Sequence, residues 1–346
     1  MNLLNTKPLI SILLPIYNAA QYLKDCLDSI FNQTYQNFEI IAIDDGSTDN
    51  PEFILQGFKD SRLHYFKNES NLGVAKTLNK ALKHANGEFI MRMDADDVIL
   101  PHKIIEQIAF FNKSPQIDIL GTSFSQFSYN RPLNNNLPAN DSDIKLELFF
   151  RCPLCHPTVM IKREALIKNE LEYNESLQTA EDYNLWTDAC IKGLKFTNLP
   201  EKMLIYRQHA NQNTDRYYEQ LLILDDIIRL KIAKFYFKNI LTKYTEEAYL
   251  SLINHKFNDI RELKRIKKIV LELKKTSIST INQKTISQFW QQKWYIYLDD
   301  YCYNYTNIGF SNSLRVLKLY ITDKTFFCFS SLRKKVRFIF VCLYLK

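Results

Sequence analysis

Carboxylate side chains crowd together where one apolar segment of the chain ends. Asp94, Asp96 and Asp97 follow directly on the apolar run 89–93. Carboxylates this close repel one another unless a cation or hydrogen-bond donors compensate their charge. Hard divalent cations favour such oxygen ligands and usually share them with phosphate groups and water. The pattern therefore predicts a site for Mn²⁺ or Mg²⁺, and a solvated turn that caps the next helix is the alternative.

Two further polar clusters follow apolar segments earlier in the chain. Asp45 lies in the run DDGSTD at 44–49, and the turn Pro15-Ile16-Tyr17-Asn18 ends the first apolar segment. Asp45 could accept a hydrogen bond from a ring nitrogen of uracil, while Tyr17 could pack against the base. The alternatives are an ordinary β-turn for DDGSTD and a strand-ending role for Pro15. Because they occur together and in this order, the three clusters favour a binding site.

The segments that carry these clusters alternate between strand and helix patterns, which is typical of a parallel α/β sheet. Continuous apolar runs predict strands over residues 9–15, 38–43, 63–66 and 89–93. Apolar residues at helical spacing predict helices over 19–31, 51–58 and 74–85, and Pro101 is expected to open another at its first position. Because ligands of open α/β sheets bind at the carboxyl ends of the strands, the three clusters are expected to face one site.

The pattern changes in the second part of the chain. Residues 128–142 are rich in Asn, Pro and Ser and predict a surface loop, whereas 157–161 and 203–206 are predicted strands. The segment 181–191 is a predicted helix whose first turn carries Glu181 and Asp182. A carboxylate there could act as a general base, although the helix dipole alone also favours acidic residues at this position. After residue 214 the chain is predicted to be mainly helical.

Charge divides the chain into two parts. Residues 1–214 carry 21 Lys and Arg against 26 Asp and Glu, whereas residues 215–346 carry 24 against 12. A basic region can meet anionic lipid headgroups, an anionic glycan or nucleic acid, and net charge alone does not choose among them. No nucleic-acid recognition motif accompanies the charge, so nucleic acid is not an expected partner.

The end of the chain combines charge with apolar residues. Residues 326–346 mix Arg333, Lys334, Lys335 and Arg337 with Phe, Ile and Leu. Such a composition is typical of a segment that lies in the plane of a membrane surface. A helix that packs on the rest of the protein and turns its cations to solvent is the alternative.

The chain shows no pattern of export. The first apolar run, LISILLPI from Leu9, lacks a charged leader and a small-residue cleavage site, which indicates a buried strand rather than a signal peptide. No stretch reaches the ~18 apolar residues that span a bilayer. Seven cysteines fit reduced thiols, and the run Cys152 to His156 lacks the export signal of a haem site and the second ligand pair of a zinc site. These features predict a cytoplasmic protein, peripheral at the inner face of the cytoplasmic membrane if the tail binds lipid.

Several segments together resemble the family-two inverting glycosyltransferases of the GT-A fold. The matching segments are PIYN at 15–18, IDDGSTD at 43–49, NLGV at 71–74, RMDADD at 92–97, CHPTVM at 155–160, AEDYNLW at 180–186 and YRQH at 206–209. Their spacing is similar to that of bacterial lipooligosaccharide and surface-polysaccharide N-acetylglucosaminyl- and galactosyltransferases. The resemblance implies an α/β, Rossmann-like GT-A domain for nucleotide sugars, followed here by a mainly helical C-terminal region.

The resemblance implies roles on the donor side of such a site. Pro15, Tyr17 and Asp45 would hold the nucleoside of the nucleotide-sugar donor. Asp94 would reach the ribose or the metal, and Asp96 would bind the Mn²⁺ or Mg²⁺ ion on the diphosphate.

On the acceptor side, the resemblance implies that Asp182 is the general base. His209 would complete the metal or diphosphate site, while Glu181 and His156 match less specific acceptor-side positions. Inversion by one displacement needs a base on the face of the sugar opposite the leaving group, so the base and the metal site must be separate. Asp182 lies far from the aspartates at 94–97 in sequence, as this geometry requires.

The expected activity is transfer of a hexosyl or N-acetylhexosaminyl group from a nucleotide diphosphate, UDP foremost, to a glycan or glycolipid hydroxyl. The expected pathway is bacterial surface polysaccharide or lipooligosaccharide biosynthesis. Residues 1–214 would form the catalytic domain, with a donor half over 1–125 and an acceptor half over 126–214, and residues 215–346 the basic helical region. The alternative is a non-catalytic nucleotide-sugar-binding assembly subunit of the same pathway, against which the intact acidic motifs weigh. A nucleotidyltransferase is disfavoured because no Gly-rich phosphate loop with a Lys follows the first strand.

Overall fold

The computed structural model describes residues 7–127, 137–209, 217–256, 260–278 and 280–304. The chain divides into two compact units, of which unit 1 ends at Ile232 and unit 2 begins at Ala233. The predicted boundary between residues 214 and 215 lies outside the described residues, and so does the basic tail 326–346.

Unit 1 contains an eight-stranded mixed sheet. Its strands are β1 (Ile10–Ile16), β2 (Phe38–Asp44), β3 (Leu63–Lys67), β4 (Phe89–Arg92), β5 (Val98–Ile99), β6 (Ile119–Phe127), β7 (Met160–Lys162) and β8 (Phe196–Arg207). The strand order is β3-β2-β1-β4-β7-β6-β8-β5. The first four strands pair in parallel, as the sequence predicts, but β7 is antiparallel to both β4 and β6, and β5 is antiparallel to β8.

The helices of the first part of the chain are α1 (Ala20–Phe31), α2 (Pro51–Leu55), α3 (Val74–His84), α4 (Lys103–Lys113), α5 (Asp141–Glu147), α6 (Arg163–Lys168) and α7 (Glu181–Ile191). They are followed by α8 (Tyr218–Phe237), α9 (Lys243–Ile253), α10 (Ile260–Leu273) and α11 (Gln283–Asn304). The mainly helical character predicted after residue 214 is therefore confirmed for the described part of that region. None of the helices in that part of the chain is long and apolar enough to cross a membrane.

The core of unit 1 forms where the apolar patterns predict it. Every residue of β2 is buried, and so is all of β1 except the half-buried Pro15. Helix α1 covers the sheet with Leu23, Cys26, Leu27 and Ile30, whose spacing places them on one helix face. The predicted strands β1 to β4 and helices α1 and α3 are confirmed to within about one residue at each end, which is the ordinary uncertainty of such boundaries.

Some predicted elements differ from the structure. The helix predicted to open at Pro101 is α4, which begins only at Lys103. Pro101 lies in the turn before the helix, where its carbonyl oxygen accepts a hydrogen bond from Thr34 N at 2.9 Å. Residues His156–Thr158 form a short 3₁₀ turn, so the strand predicted over 157–161 starts only at Met160. The region predicted as a loop over 128–142 is described from residue 137 and already contains the start of α5.

Candidate functional site

One cavity of about 720 Å³ lies in unit 1, where β1, β2 and β4 end. All nine residues predicted for the site line it: Pro15, Tyr17, Asp45, Asp94, Asp96, His156, Glu181, Asp182 and His209. The sheet topology explains why the residues that follow β1, β2 and β4 lie close together, because neighbouring parallel strands have their carboxyl ends at the same edge of the sheet. The start of α7 contributes the acceptor-side carboxylates to the same space.

Asp45 organises the loop that leads into α3. Its Oδ1 atom accepts hydrogen bonds from Asn68 Nδ2 and Leu72 N, both at 2.8 Å, and its Oδ2 atom accepts one from Gly73 N at 2.9 Å. A carboxylate offers about four acceptor positions, so one position remains beyond these three. Asp45 thus shapes one wall of the cavity, and its predicted bond to a base stays a prediction.

The turns after β1 and β2 are joined to each other. Asn18 N donates to Ser47 Oγ at 3.0 Å, and Thr48 N donates to Asn18 Oδ1 at 2.9 Å. Gly46 adopts φ +72°, and a Cβ atom at this position would lie 2.7 Å from the backbone carbonyl carbon of Ser70. Only glycine fits this close approach. Residues 46–48 therefore hold the loops after β1 and β2 and the loop before α3 close together at the cavity.

The acidic cluster after β4 is the candidate metal centre. Carboxylate oxygens of Asp94, Asp96 and Asp97 all lie within 4.8 Å of one another. Asp94 forms an ion pair with Arg92, a buried residue for which the sequence had suggested no role. Burial raises the pKa of Asp94 to about 6, with Arg92 opposing the rise and the Asp96 carboxylate adding to it. Burial and the charges of Asp94 and Asp96 raise the pKa of Asp97 well above its usual range.

His209 and Arg207 hold the acidic loop from the end of β8. His209 Nε2 lies 2.9 Å from Asp96 Oδ2. Arg207 N donates to Asp97 Oδ1, and Arg207 Nε donates to the carbonyl oxygen of Asp96, both at 2.9 Å. Tyr22 of α1 contacts both residues, since its ring stacks on His209 at 4.9 Å and lies 4.8 Å below the Arg207 guanidinium. Sequence reasoning had assigned neither Arg207 nor Tyr22 to the site.

The donor set at this centre fits a hard divalent cation. Carboxylate oxygens are the ligands that Mn²⁺ and Mg²⁺ favour. Asp97 Oδ2 and His209 Nδ1 are buried without a hydrogen-bond partner among the described residues. Buried polar atoms seldom stay unpaired, and carboxylates seldom cluster without compensation. Asp94 and Asp96, with His209 beside them as predicted, are therefore the residues that would hold such a cation, and Asp97 joins them in the structure.

The acceptor-side carboxylates begin helix α7. Asp182 Oδ1 accepts a hydrogen bond from Tyr183 N at 2.6 Å, and Cys152 Sγ lies 3.6 Å from Asp182 Oδ2. Burial raises the pKa of both Glu181 and Asp182. A carboxylate with a raised pKa is a stronger base once ionised, so the arrangement suits proton abstraction.

His156 lies beside Glu181 in the wall of the cavity. Its Nε2 atom lies 2.9 Å from the hydroxyl oxygen of Tyr173, and its Nδ1 atom lies 3.7 Å from Glu181 Oε1. Burial and the nearby Arg92 guanidinium hold the pKa of His156 well below its usual range, so the imidazole is neutral at pH 7. A neutral, fully packed ring suits a positioning role for Glu181 better than proton transfer.

Helix α8 also contributes to the cavity, which the sequence did not predict. Leu221 and Asp225 of α8 line it, and so does Tyr217 just before the helix, at spacings of four residues in the region predicted as C-terminal. Burial raises the pKa of Asp225 to about 6. The four-residue spacing could have indicated a common helix face, but not which surface that face meets.

Sequence comparison connects the chain to known proteins. Residues 11–169 match the family described as glycosyl transferase family 2. An uncharacterized glycosyltransferase of Haemophilus influenzae is 33% identical over 224 residues, which cover 61% of this chain and 68% of that protein. Another, from Methanocaldococcus jannaschii, is 32% identical over 222 residues, covering 62% of this chain and 75% of that protein.

Solved structures share the fold at low sequence identity. TarS 1–349 of S. aureus in complex with UDP-GlcNAc is 20% identical with a TM-score of 0.54, over 88% of this chain and 83% of that one. The mannosyltransferase PcManGT of Pyrobaculum calidifontis, in complex with GDP-Man and Mn²⁺, is 17% identical with a TM-score of 0.52, over 84% and 86%. The chain spans 54% of the longer TarS structure. These likenesses establish the GT-A fold predicted from the sequence.

The sequence matches carry the assignment further than the fold does, because each of the two relatives is more than 30% identical and is covered over at least two thirds of its length. The chain belongs to glycosyl transferase family 2.

Proposed function

We propose that this protein is a metal-dependent, inverting glycosyltransferase that moves a sugar from a nucleotide diphosphate to a hydroxyl of a glycan or glycolipid. The observation that carries the proposal is one cavity lined both by the acidic cluster after β4 and by Asp182 at the start of α7. A donor and an acceptor can therefore occupy the same cavity, with the carboxylate of Asp182 supplied by a different element from the acidic cluster.

Each side of the cavity has its own task in this reaction. A divalent cation held by Asp96 and Asp94 would neutralise the charge that develops on the departing nucleotide diphosphate. Asp182 accepts the proton of the acceptor hydroxyl as the new glycosidic bond forms. The Tyr183 N–H holds Asp182 Oδ1, which fixes the direction of the carboxylate. A single displacement then leaves the product with the opposite anomeric configuration.

The proposed donor is a UDP-sugar carrying a hexose or an N-acetylhexosamine. Tyr17 is 38% exposed at the cavity mouth, so its ring is open to pack against a base. TarS in complex with UDP-GlcNAc shares the fold, and so does PcManGT in complex with GDP-Man, so the fold itself accepts either nucleoside. The proposed pathway is bacterial surface polysaccharide or lipooligosaccharide biosynthesis, in the cytoplasm.

A thermal-shift screen of UDP-, GDP- and TDP-sugars with Mn²⁺ tests the donor. A ligand at a hundredfold excess over its Kd stabilises the folded state by about 2.7 kcal/mol. We expect UDP-sugars to raise the Tm by several degrees and the other donors to raise it less. Tyr17→Ala is expected to reduce that shift without changing the Tm of the unliganded protein. Phe53→Ala is the matched control, because Phe53 is 75% exposed and does not line the cavity. A larger shift with GDP- or TDP-sugars would contradict the uridine proposal.

Donor turnover separates the enzyme from the non-catalytic assembly subunit. Water carries a hydroxyl group that can take the place of the acceptor, so release of the nucleotide diphosphate measures turnover without a known acceptor. An enzyme is expected to release it from the donor that stabilises the protein best. A protein that binds that donor tightly but never releases the diphosphate, with a panel of glycan acceptors present, would instead be the assembly subunit.

The proposed membrane partner of the tail has its own test. Cations near an anionic bilayer contribute about 1 kcal/mol each. Replacing Arg333, Lys334, Lys335 and Arg337 with Gln is therefore expected to lower co-sedimentation with anionic liposomes, and added salt should lower it for the unchanged protein too. Equal sedimentation of the unchanged protein and the variant would instead favour the alternative, in which the tail packs on the rest of the protein.

A further inference from the structure

Helix α10 of unit 2 carries exposed cations along one face. Arg261, Lys264, Arg265 and Lys268 are all exposed and follow one another at spacings of three and four residues. Residues at these spacings lie above one another on a helix, so the four cations form one stripe about 10 Å long. This stripe is called the α10 basic face below.

The opposite face of α10 fixes this stripe in place. Leu263, Ile266, Ile269, Val270 and Leu273 are buried. Glu262 is anchored as well, since Ser251 Oγ of α9 donates to its Oε1 atom at 2.7 Å. The helix cannot rotate without exposing these apolar side chains, which would cost on the order of 1.5–3 kcal/mol for each. The α10 basic face is therefore a fixed, exposed surface of unit 2.

Three of the four cations of the α10 basic face are not neutralised within the described residues. Lys264, Arg265 and Lys268 form no ion pair there, whereas the next acidic residue on the stripe, Glu272, pairs with Lys275 at 3.1 Å. Leu271 lies beside these residues on the same side of the helix and is 46% exposed. Three uncompensated cations with an exposed apolar side chain beside them match a surface that is anionic outside and apolar beneath.

We propose that the α10 basic face docks on the surface of an anionic phospholipid bilayer. A bilayer surface is broad and multivalent, and it requires only that the cations share one side of the protein. Leu271 would then enter the region between headgroups and acyl chains. A single-stranded nucleic acid is the less suitable partner, because the exposed residues of this face include no aromatic side chain on which bases could stack.

The α10 basic face is a lipid-binding surface separate from the one proposed for residues 326–346, and it lines no part of the cavity. Stable anchoring of a protein on a membrane usually takes two signals. The α10 basic face would supply one of them by itself, whether or not residues 326–346 supply another.

Co-sedimentation of the full chain with vesicles tests the proposal. Vesicles of phosphatidylglycerol and phosphatidylcholine are compared with vesicles of phosphatidylcholine alone. Replacing the four cations of the α10 basic face with Gln is expected to lower the partition coefficient on the anionic vesicles by at least tenfold, since each cation contributes a factor of about five. The matched control replaces four exposed lysines of unit 1 with Gln, at Lys76, Lys168, Lys192 and Lys195. It changes the net charge equally and is expected to lower binding less than threefold.

Two further measurements interpret the result. Tm and donor hydrolysis without vesicles are expected to be equal in all three proteins, so a loss of vesicle binding cannot come from misfolding or from a failure of the proposed function. Unchanged vesicle binding of the α10 variant would overturn the proposal, and so would an equal loss in the unit 1 control. Loss of oligonucleotide binding with intact vesicle binding would overturn it as well and assign the face to nucleic acid.

Discussion

Asp182→Asn is expected to lower the rate of sugar transfer by at least ~10²-fold while donor binding is retained. Asparagine keeps the size of aspartate, and its side-chain oxygen can still accept the hydrogen bond from Tyr183 N. It has no basic oxygen, so the acceptor hydroxyl would have to lose its proton to water. Initial rates of transfer and a donor titration of the same preparation measure the two quantities separately.

Two neighbouring substitutions show whether the effect belongs to Asp182. Glu181→Gln is expected to cost less, because Glu181 contacts His156 and supports the helix start rather than taking the proton. Asp188→Asn lies on the same helix but outside the cavity, where Asp188 pairs with Lys231, and is expected to change the rate less than threefold. Near-normal turnover of Asp182→Asn would move the base elsewhere. A product that retains the donor configuration would remove the single-displacement mechanism.

The pH dependence of the reaction follows from the burial of Asp182. Burial raises the pKa of this carboxyl, and the base must be ionised to take a proton. The transfer rate should therefore fall as the pH drops through that pKa, at a pH above the ordinary range of aspartate. The Asp182→Asn variant is expected to lose this acidic limb of the profile. Glu181→Gln should move the limb to lower pH, because the Glu181 charge raises the pKa of Asp182 and the substitution removes that charge.

The sequence predicts the donor half of the fold because its strands are apolar throughout. A strand covered on both faces needs a continuous apolar run, and β1 and β2 have one. Strand β6 was missed because its centre is Gly121-Thr122-Ser123, whose small polar residues are buried and give no apolar signal. The antiparallel pairing of β7 with β4 and β6 depends on partners distant in the chain, which local patterns do not specify.

The candidate site was predictable where one short segment carries a whole function. The acidic residues at 94–97 and the pair at 181–182 are recognisable in the sequence, because each cluster of charge lies directly at the end of a predicted strand or the start of a predicted helix. Arg207 and Tyr22 were not predictable in this way, because they contact each other across 185 residues of chain, and only Arg207 contacts the acidic loop directly. Arg92 was visible beside the acidic cluster, but only its burial and its ion pair with Asp94 indicate what it does.

Removal of divalent cations is expected to abolish both sugar transfer and donor hydrolysis, and Mn²⁺ or Mg²⁺ should restore both. A bound cation stabilises the charge that develops on the departing diphosphate by several kcal/mol. Each 1.36 kcal/mol of activation free energy changes the rate tenfold. We therefore expect at least a ~10²-fold loss in excess chelator. The structural basis is the cluster of Asp94, Asp96 and Asp97, whose carboxylate oxygens lie within 4.8 Å of one another.

Asp96→Ala is the matching substitution, and direct Mn²⁺ binding separates its cause from a general loss of activity. The substitution removes the carboxylate that contacts His209, but it leaves the Asp96 carbonyl oxygen that Arg207 Nε binds, so the loop should keep its fold and the protein its Tm. Mn²⁺ titrations followed by electron paramagnetic resonance are expected to show at least tenfold weaker binding. Asp28→Ala is the control, because the Asp28 side chain is 43% exposed and, among the described residues, pairs with one surface lysine, Lys24. Full transfer activity in excess chelator would exclude this cluster as the metal site, and so would unchanged Mn²⁺ binding by Asp96→Ala. Arg92 and Arg207 would then be the described cations nearest to the cluster that could offset the charge of the diphosphate.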